Sequence, residues 1–128
     1  MALDLLDARE KLAAVLAPRD NSDPAVLTSL ADTISPPALM IGWGDPMLRA
    51  ERSNCFATGR LLVTAVASRL VPGPGVSVLE ELVAYTLGRT WNDAESWELV
   101  DVSGPRDYFI AQTHYLAARI IFNVTITQ

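Results

Sequence analysis

The sequence predicts an α+β domain, a mainly antiparallel sheet with an N-terminal helix and a central helix on one face. Three observations lead there. Leu116, Ala118, Ile120, Phe122, Val124 and Ile126 face one way, with Ala117, Arg119, Asn123, Thr125 and Thr127 mostly facing the other, the period of two that marks a half-buried strand. The run RLLVTAVASRL from Arg60 is long, apolar and free of proline. Between these two segments, Leu79, Leu82, Val83 and Thr86 recur at helical spacing with Glu80, Glu81 and Arg89 outside the stripe, so a helix can lay one apolar side on the sheet.

The remaining elements follow in chain order. Leu5, Leu6, Leu12, Ala13 and Leu16 share one side of a helix from about Leu3 to Leu16, stopped before Pro18. Ser22 or Asp23 is placed to cap a short helix with Pro24 at its first position, running to about Asp32 and ended by Ser35-Pro36-Pro37. Ala38 to Trp43 reads as a short strand. Gly44 to Arg52 contains Asp45-Pro46 and reads as a projecting loop that cannot pair regularly.

Ser53 to Leu70 reads as a strand of unusual length, with Gly59 as a place to bend or bulge it. Pro72-Gly73-Pro74-Gly75 breaks the chain. Ser77-Val78-Leu79-Glu80 then has the spacing of a capping box, opening a helix from Val78 to about Trp91. Trp97 to Val102 and Arg106 to Thr113 are expected to form a hairpin around Ser103-Gly104-Pro105, with the alternating strand closing the domain.

At 128 residues the chain forms one domain, residues 1–128, and can bury roughly 65 to 70% of its unfolded surface without a disulfide or metal. Half of the residues are hydrophobic and only 20% are charged, with mean hydropathy +0.23. Some of that apolar surface is expected to meet a partner. A net charge of −5 has the wrong sign for gripping nucleic acid through its phosphates.

Lys11 is the single lysine among ten basic residues, and arginine's forked, weakly hydrated head suits interfaces. Cys55 is the only cysteine, which excludes an internal disulfide and a cysteine-type zinc site. The acids Asp4, Asp7 and Glu10 in the first helix argue against an export signal. No window reaches the ~18 apolar residues of a membrane span.

His114 is the only histidine, and with Ser103, Asp107 and Cys55 it could nominally supply a nucleophile, a base and an orienting acid. Asp107 precedes it by seven residues, on the opposite face of a continuous strand. There is no G-x-S-x-G elbow. Pro72-Gly73-Pro74-Gly75 lacks the following G-K-[ST] of a phosphate loop, and its two prolines remove donors that such a cradle needs. Glu80 with Glu81, and Asp93 with Glu95, have no histidine partner for a metal. Asn123-Val124-Thr125 matches a glycosylation acceptor but reads as plain strand. No catalytic, cofactor-binding or metal-ligating residue is assigned.

The three tryptophans, Trp43, Trp91 and Trp97, read mostly as packing. Trp43 differs because it stands between two glycines beside Asp45-Pro46-Met47-Leu48. An aromatic and a methionine on a projecting loop form the kind of anchor that protein interfaces use. The candidate partner surface is therefore Trp43, Asp45, Met47, Leu48, Arg49 and Arg52.

In its element order and in four segments the chain resembles the tail terminator proteins of long-tailed bacteriophages. The segments are LDLLDAREKLAAVL, PPALMIGWGDP, RLLVTAVASRLVPGPGVSVLEELVAYTL and SGPRDYFIAQTHYLAARIIFNVTI. The resemblance spans nearly the whole chain and rests on pattern rather than on a signature motif. It implies a sheet flanked by helices, no enzymatic activity and no cofactor. It also implies a homo-oligomeric ring, usually a hexamer, that caps the tail tube, stops its polymerisation and presents the docking surface for the head. The implied partners are the major tail tube protein and a head-closure or connector protein, with genomic DNA passing through the pore without specific binding and no membrane involved. The implied location is the virion tail or neck, after assembly in the host cytoplasm. Another neck subunit is the alternative reading, and a small hydrolase or ligand-binding domain a remote one.

Overall fold

The structure, a computed structural model, describes residues 5–28, 36–50, 56–69, 75–91, 97–110 and 112–127. Its elements in order are α1 (Leu5–Leu16), β1 (Ala25–Leu27), β2 (Ala38–Ala50), β3 (Phe56–Arg69), α2 (Gly75–Trp91), β4 (Glu98–Val102), β5 (Arg106–Ile110) and β6 (Thr113–Thr127). The sheet runs β1-β2-β3-β6-β4, with β5 also on β6. Among the described strand pairs only β1 with β2 is parallel. This is the α+β architecture that the apolar patterning predicts.

The core lies between this sheet and both helices. Ala8, Leu12 and Leu16 of α1 and Leu79 and Leu82 of α2 join Leu39, Leu61, Val63, Ile120 and Phe122 in one buried cluster. Thr86 and Thr90 are buried in the same helix, where each hydroxyl donates to a carbonyl one turn earlier, Leu82 O at 3.0 Å and Thr86 O at 2.9 Å. Those bonds satisfy groups that would otherwise cost energy to bury. Among the described residues, the other face of the sheet carries a smaller buried cluster of Ala38, Val66, Tyr115 and Ala117.

Several local expectations are corrected. Residues 25–27 form β1, a parallel strand paired with Ala38–Met40, where the sequence reads as a short helix. The reason lies at Asp23. Its carboxylate accepts from the Arg19 amide at 2.8 Å and from Arg89 on α2 at 3.0 Å, so it ties the chain back to the helix layer rather than capping a new helix. Residues 29–35 of that expected helix lie outside the described residues.

Helix α2 begins at Gly75, so Ser77 is its third residue and is exposed. The Ser77/Glu80 pair therefore sits inside the helix and does not open it. Gly75 is buried where a Cβ would lie 2.8 Å from Ser68 Oγ and 2.9 Å from Leu116 Cδ2, so its missing side chain lets the first turn press onto β3 and β6.

Gly44 to Arg52 is not wholly a loop. Strand β2 continues through it to Ala50, with a register break in which Gly44 to Met47 intervene between the pairs Trp43↔Leu61 and Leu48↔Gly59. The excess residues bulge out and regular pairing resumes at Leu48. The bulge is thus on β2, while Gly59 itself stays in register with Leu48 and Val124. A Cβ on Gly59 would lie 3.2 Å from Trp43 Cζ3 and 3.1 Å from Ile126 Cγ1. The glycine admits the tryptophan ring across β3 instead of bending the strand.

Strands β4 and β5 do not form a hairpin with one another. Both pair with β6, at Ile120–Asn123 and Thr113–Ala117 respectively, and so lie end to end along its outer edge. Ser103 holds the link between them, its amide donating to Arg119 O at 2.9 Å and its hydroxyl accepting from the Arg119 amide at 3.0 Å. The actual reversal falls between Ile110 and Thr113, where Gln112 adopts a positive φ of 68°.

Candidate interaction surface

On β2, Leu48 turns toward the main core and is half-buried, as is Trp43. Leu48 is thereby separated from the exposed Met47, with which the sequence groups it in the candidate partner surface. Arg49 pairs with Thr58 one position further along, so the period of two turns it away from the helix layer, and Met47 is the last residue of the bulge before Leu48. Both are exposed, Met47 at 40%. The side chain of Asp45 and all of Arg52 lie outside the described residues.

Helix α2 supplies a second surface that the sequence reading missed. One flank is held by α1, with the Tyr85 hydroxyl donating to Leu16 O at 2.7 Å. Arg89 stacks over the Tyr85 ring, 4.8 Å from its centroid, and closes the ion pair with Asp23. Burial raises the Tyr85 hydroxyl above its ordinary titration range. In the adjoining turn, hydrogen bonds from Ser22 lower the Asp20 carboxyl.

The opposite flank of α2 has no helix beside it among the described residues. Val76, Val83, Leu87 and Trp91 follow one another there at spacings of seven, four and four, a stripe about 22 Å long at 1.5 Å per residue. Val76 is 47% and Trp91 78% exposed. Beside the stripe runs a groove of ≈ 350 Å³ lined by Leu79, Val83, Ala84, Leu87, Pro105 and Ala118, with Glu80 and Ser103 as its polar members. The signal for this surface was present in the sequence: valine and leucine at positions 76, 83 and 87 make the apolar side of α2 wider than one sheet contact needs.

Comparison with known proteins finds no family model that matches the chain and no curated relative.

A third cluster lies beyond the N-terminal end of α2. His114 and Asp107 are brought to the same face by the β5–β6 hairpin, with His114 Nδ1 at 2.9 and 3.1 Å from the two Asp107 carboxylate oxygens. This overturns the placement on opposite faces, because the chain reverses between the two residues. A carboxylate can only accept, so Nδ1 carries the proton. The Phe109 ring lies 4.7 Å from the imidazole and is 60% exposed. Ser103 is engaged with Arg119 at the strand link, and Cys55 lies outside the described residues. Among the described residues no three histidine, cysteine or acidic side chains gather as a metal site. None of their helices is long and apolar enough to cross a membrane.

Proposed function

We propose that the chain is a structural subunit of a phage tail, forming a ring at the head-proximal end of the tail tube that ends tube polymerisation and gives the head its docking surface. The reading rests on the resemblance in pattern. The observation that supports it most is the position of the exposed apolar surface. Met47 projects near the β2 edge of the sheet, while the Val76–Trp91 stripe and its groove lie toward the β4 edge. Two unlike patches at opposite edges serve head-to-tail contacts, and such contacts close into a ring when the rotation between neighbours permits. In this reading the tail tube protein binds one face of a ring, usually a hexamer, and a head-closure or connector protein binds the other, with DNA passing through the pore. The protein resides in the virion tail or neck.

Particles assembled without this protein test the proposal. Overlong tails are the expected result. Tails of normal length lying beside filled heads would move the chain to another neck position, and a normal yield of infectious particles would overturn both assignments.

A further inference from the structure

We infer that successive copies of this chain join by seating the Met47–Arg49 segment of one copy in the α2 groove of the next. The inference rests on the ring reading and names the contact that would build it.

The groove needs an occupant with an apolar tip and a positive charge close behind. Its floor is Leu79, Val83, Ala84, Leu87 and Pro105, and its bank carries the exposed Glu80. The β2 segment has the complementary pattern. Met47 and Arg49 flank Leu48, both exposed, while Leu48 anchors the strand to the core between them. Methionine's unbranched, polarizable side chain fits an irregular apolar groove, and arginine pairs with a carboxylate in a forked geometry. The two sites are therefore complementary in both polarity and charge.

Their placement also selects the kind of contact. The groove lies on the helix-covered face toward the β4 edge, whereas Arg49 points to the helix-free face on the β2 side. Copies joined this way overlap like shingles, the helix-free face of one β2 region lying over the helix flank of its neighbour. Each copy repeats the same step. A two-fold dimer cannot satisfy both sites through one such contact, whereas a closed ring satisfies every one.

Sedimentation velocity over a concentration series, with Arg49→Glu and Glu80→Arg proteins, tests this contact. Each variant alone should associate at least about tenfold more weakly than wild type, because each sets like charges across the contact. A one-to-one mixture should recover to within about threefold of wild type. In it the introduced glutamate of one variant meets the introduced arginine of the other, and the native Arg49 and Glu80 meet at the alternate interfaces. Glu10→Arg, on the exposed side of α1, should assemble normally. Circular dichroism and thermal midpoints check that each variant is folded. If wild type assembles and both single variants assemble equally well, the contact lies elsewhere and the ring reading stands. Weakening of both variants without recovery on mixing also overturns the pairing. If wild type stays monomeric up to ~1 mM, where even weak contacts populate, self-association fails together with this contact.

Discussion

The Tyr85 hydroxyl donates to the Leu16 carbonyl at 2.7 Å, across 69 residues of sequence, and so joins the last turn of α1 to the middle of α2. The same ring carries the Arg89 guanidinium that pairs with Asp23. One aromatic residue therefore connects the end of α1, the turn leading to β1 and the central helix.

Replacing Tyr85 with phenylalanine should cost about 0.5 to 1.5 kcal/mol, the net worth of one neutral hydrogen bond, read from urea unfolding at neutral pH. The pH dependence has a definite sign. Burial raises the hydroxyl above its ordinary 10.0, so the fold favours the neutral phenol. That contribution is fully present below the unfolded value and is lost as pH rises through the folded one. Wild type should thus lose stability in this alkaline range more steeply than Tyr85→Phe, and equal slopes would contradict the assignment.

Leu82 is 4% exposed in the main core. Leu82→Ala should therefore cost ~2 to 5 kcal/mol, the range for truncating a buried leucine and leaving a cavity. Denaturant melts of purified protein give the number, and a neutral result would mean that α2 is not held through this side chain.

Gly59→Val should destabilise by about 1 to 3 kcal/mol, because its side chain would press on the Trp43 ring and Ile126. Trp43 fluorescence should shift toward that of an exposed indole as the ring is displaced. An unchanged spectrum with unchanged stability would show that the ring does not occupy the space above the glycine.

Met47 and Leu48 should respond in opposite ways to aspartate. Leu48 packs on the core, so Leu48→Asp places a charge in apolar surroundings and should lower the unfolding midpoint markedly. Met47→Asp, at an exposed site, should stay within about 0.5 kcal/mol of wild type. Separate melts of the two proteins distinguish them, and equal midpoints would refute the inward turn of Leu48.

His114→Ala should leave both the fold and particle yield close to wild type. Its pairing with Asp107 is open to solvent, with the side chains 58% and 46% exposed, and such pairs contribute about 0 to 1 kcal/mol. A variant that folds normally but fails in assembly would give the Asp107–His114–Phe109 cluster a functional role.

What was legible in the sequence is what local pattern determines. The alternation from Leu116 to Ile126 is read correctly because that side of β6 is core from Leu116 to Ile126, and Leu79 and Leu82 are placed on the buried side of α2 for the same reason. The errors lie where a distant partner decides. Three residues, Ala25 to Leu27, are a strand only because β2 offers a parallel edge. Ser103-Gly104-Pro105 has turn chemistry, yet its hydrogen bonds to Arg119 keep the chain running along β6. The proximity of Asp107 to His114 follows from moving the reversal to Gln112. At the candidate surface, Met47 and Arg49 are placed by sequence as exposed interface residues and found exposed. Leu48 is half-buried instead, and the α2 flank is missed because Val83 alone of its apolar residues is read, as part of the core stripe, while Val76 falls before the expected start of the helix.

Strand β6 is flanked by β3 on one side and by β4 and β5 on the other, so the sheet has its spine in residues 113–127. On a translating ribosome β3 emerges with one of its two neighbours still unsynthesised, and the helices have only part of a sheet on which to bury their leucines. Formation of the core therefore waits for this strand and is completed when the spine clears the exit tunnel. Until then the aliphatic side of β3 is open to chaperones and to other nascent chains alike.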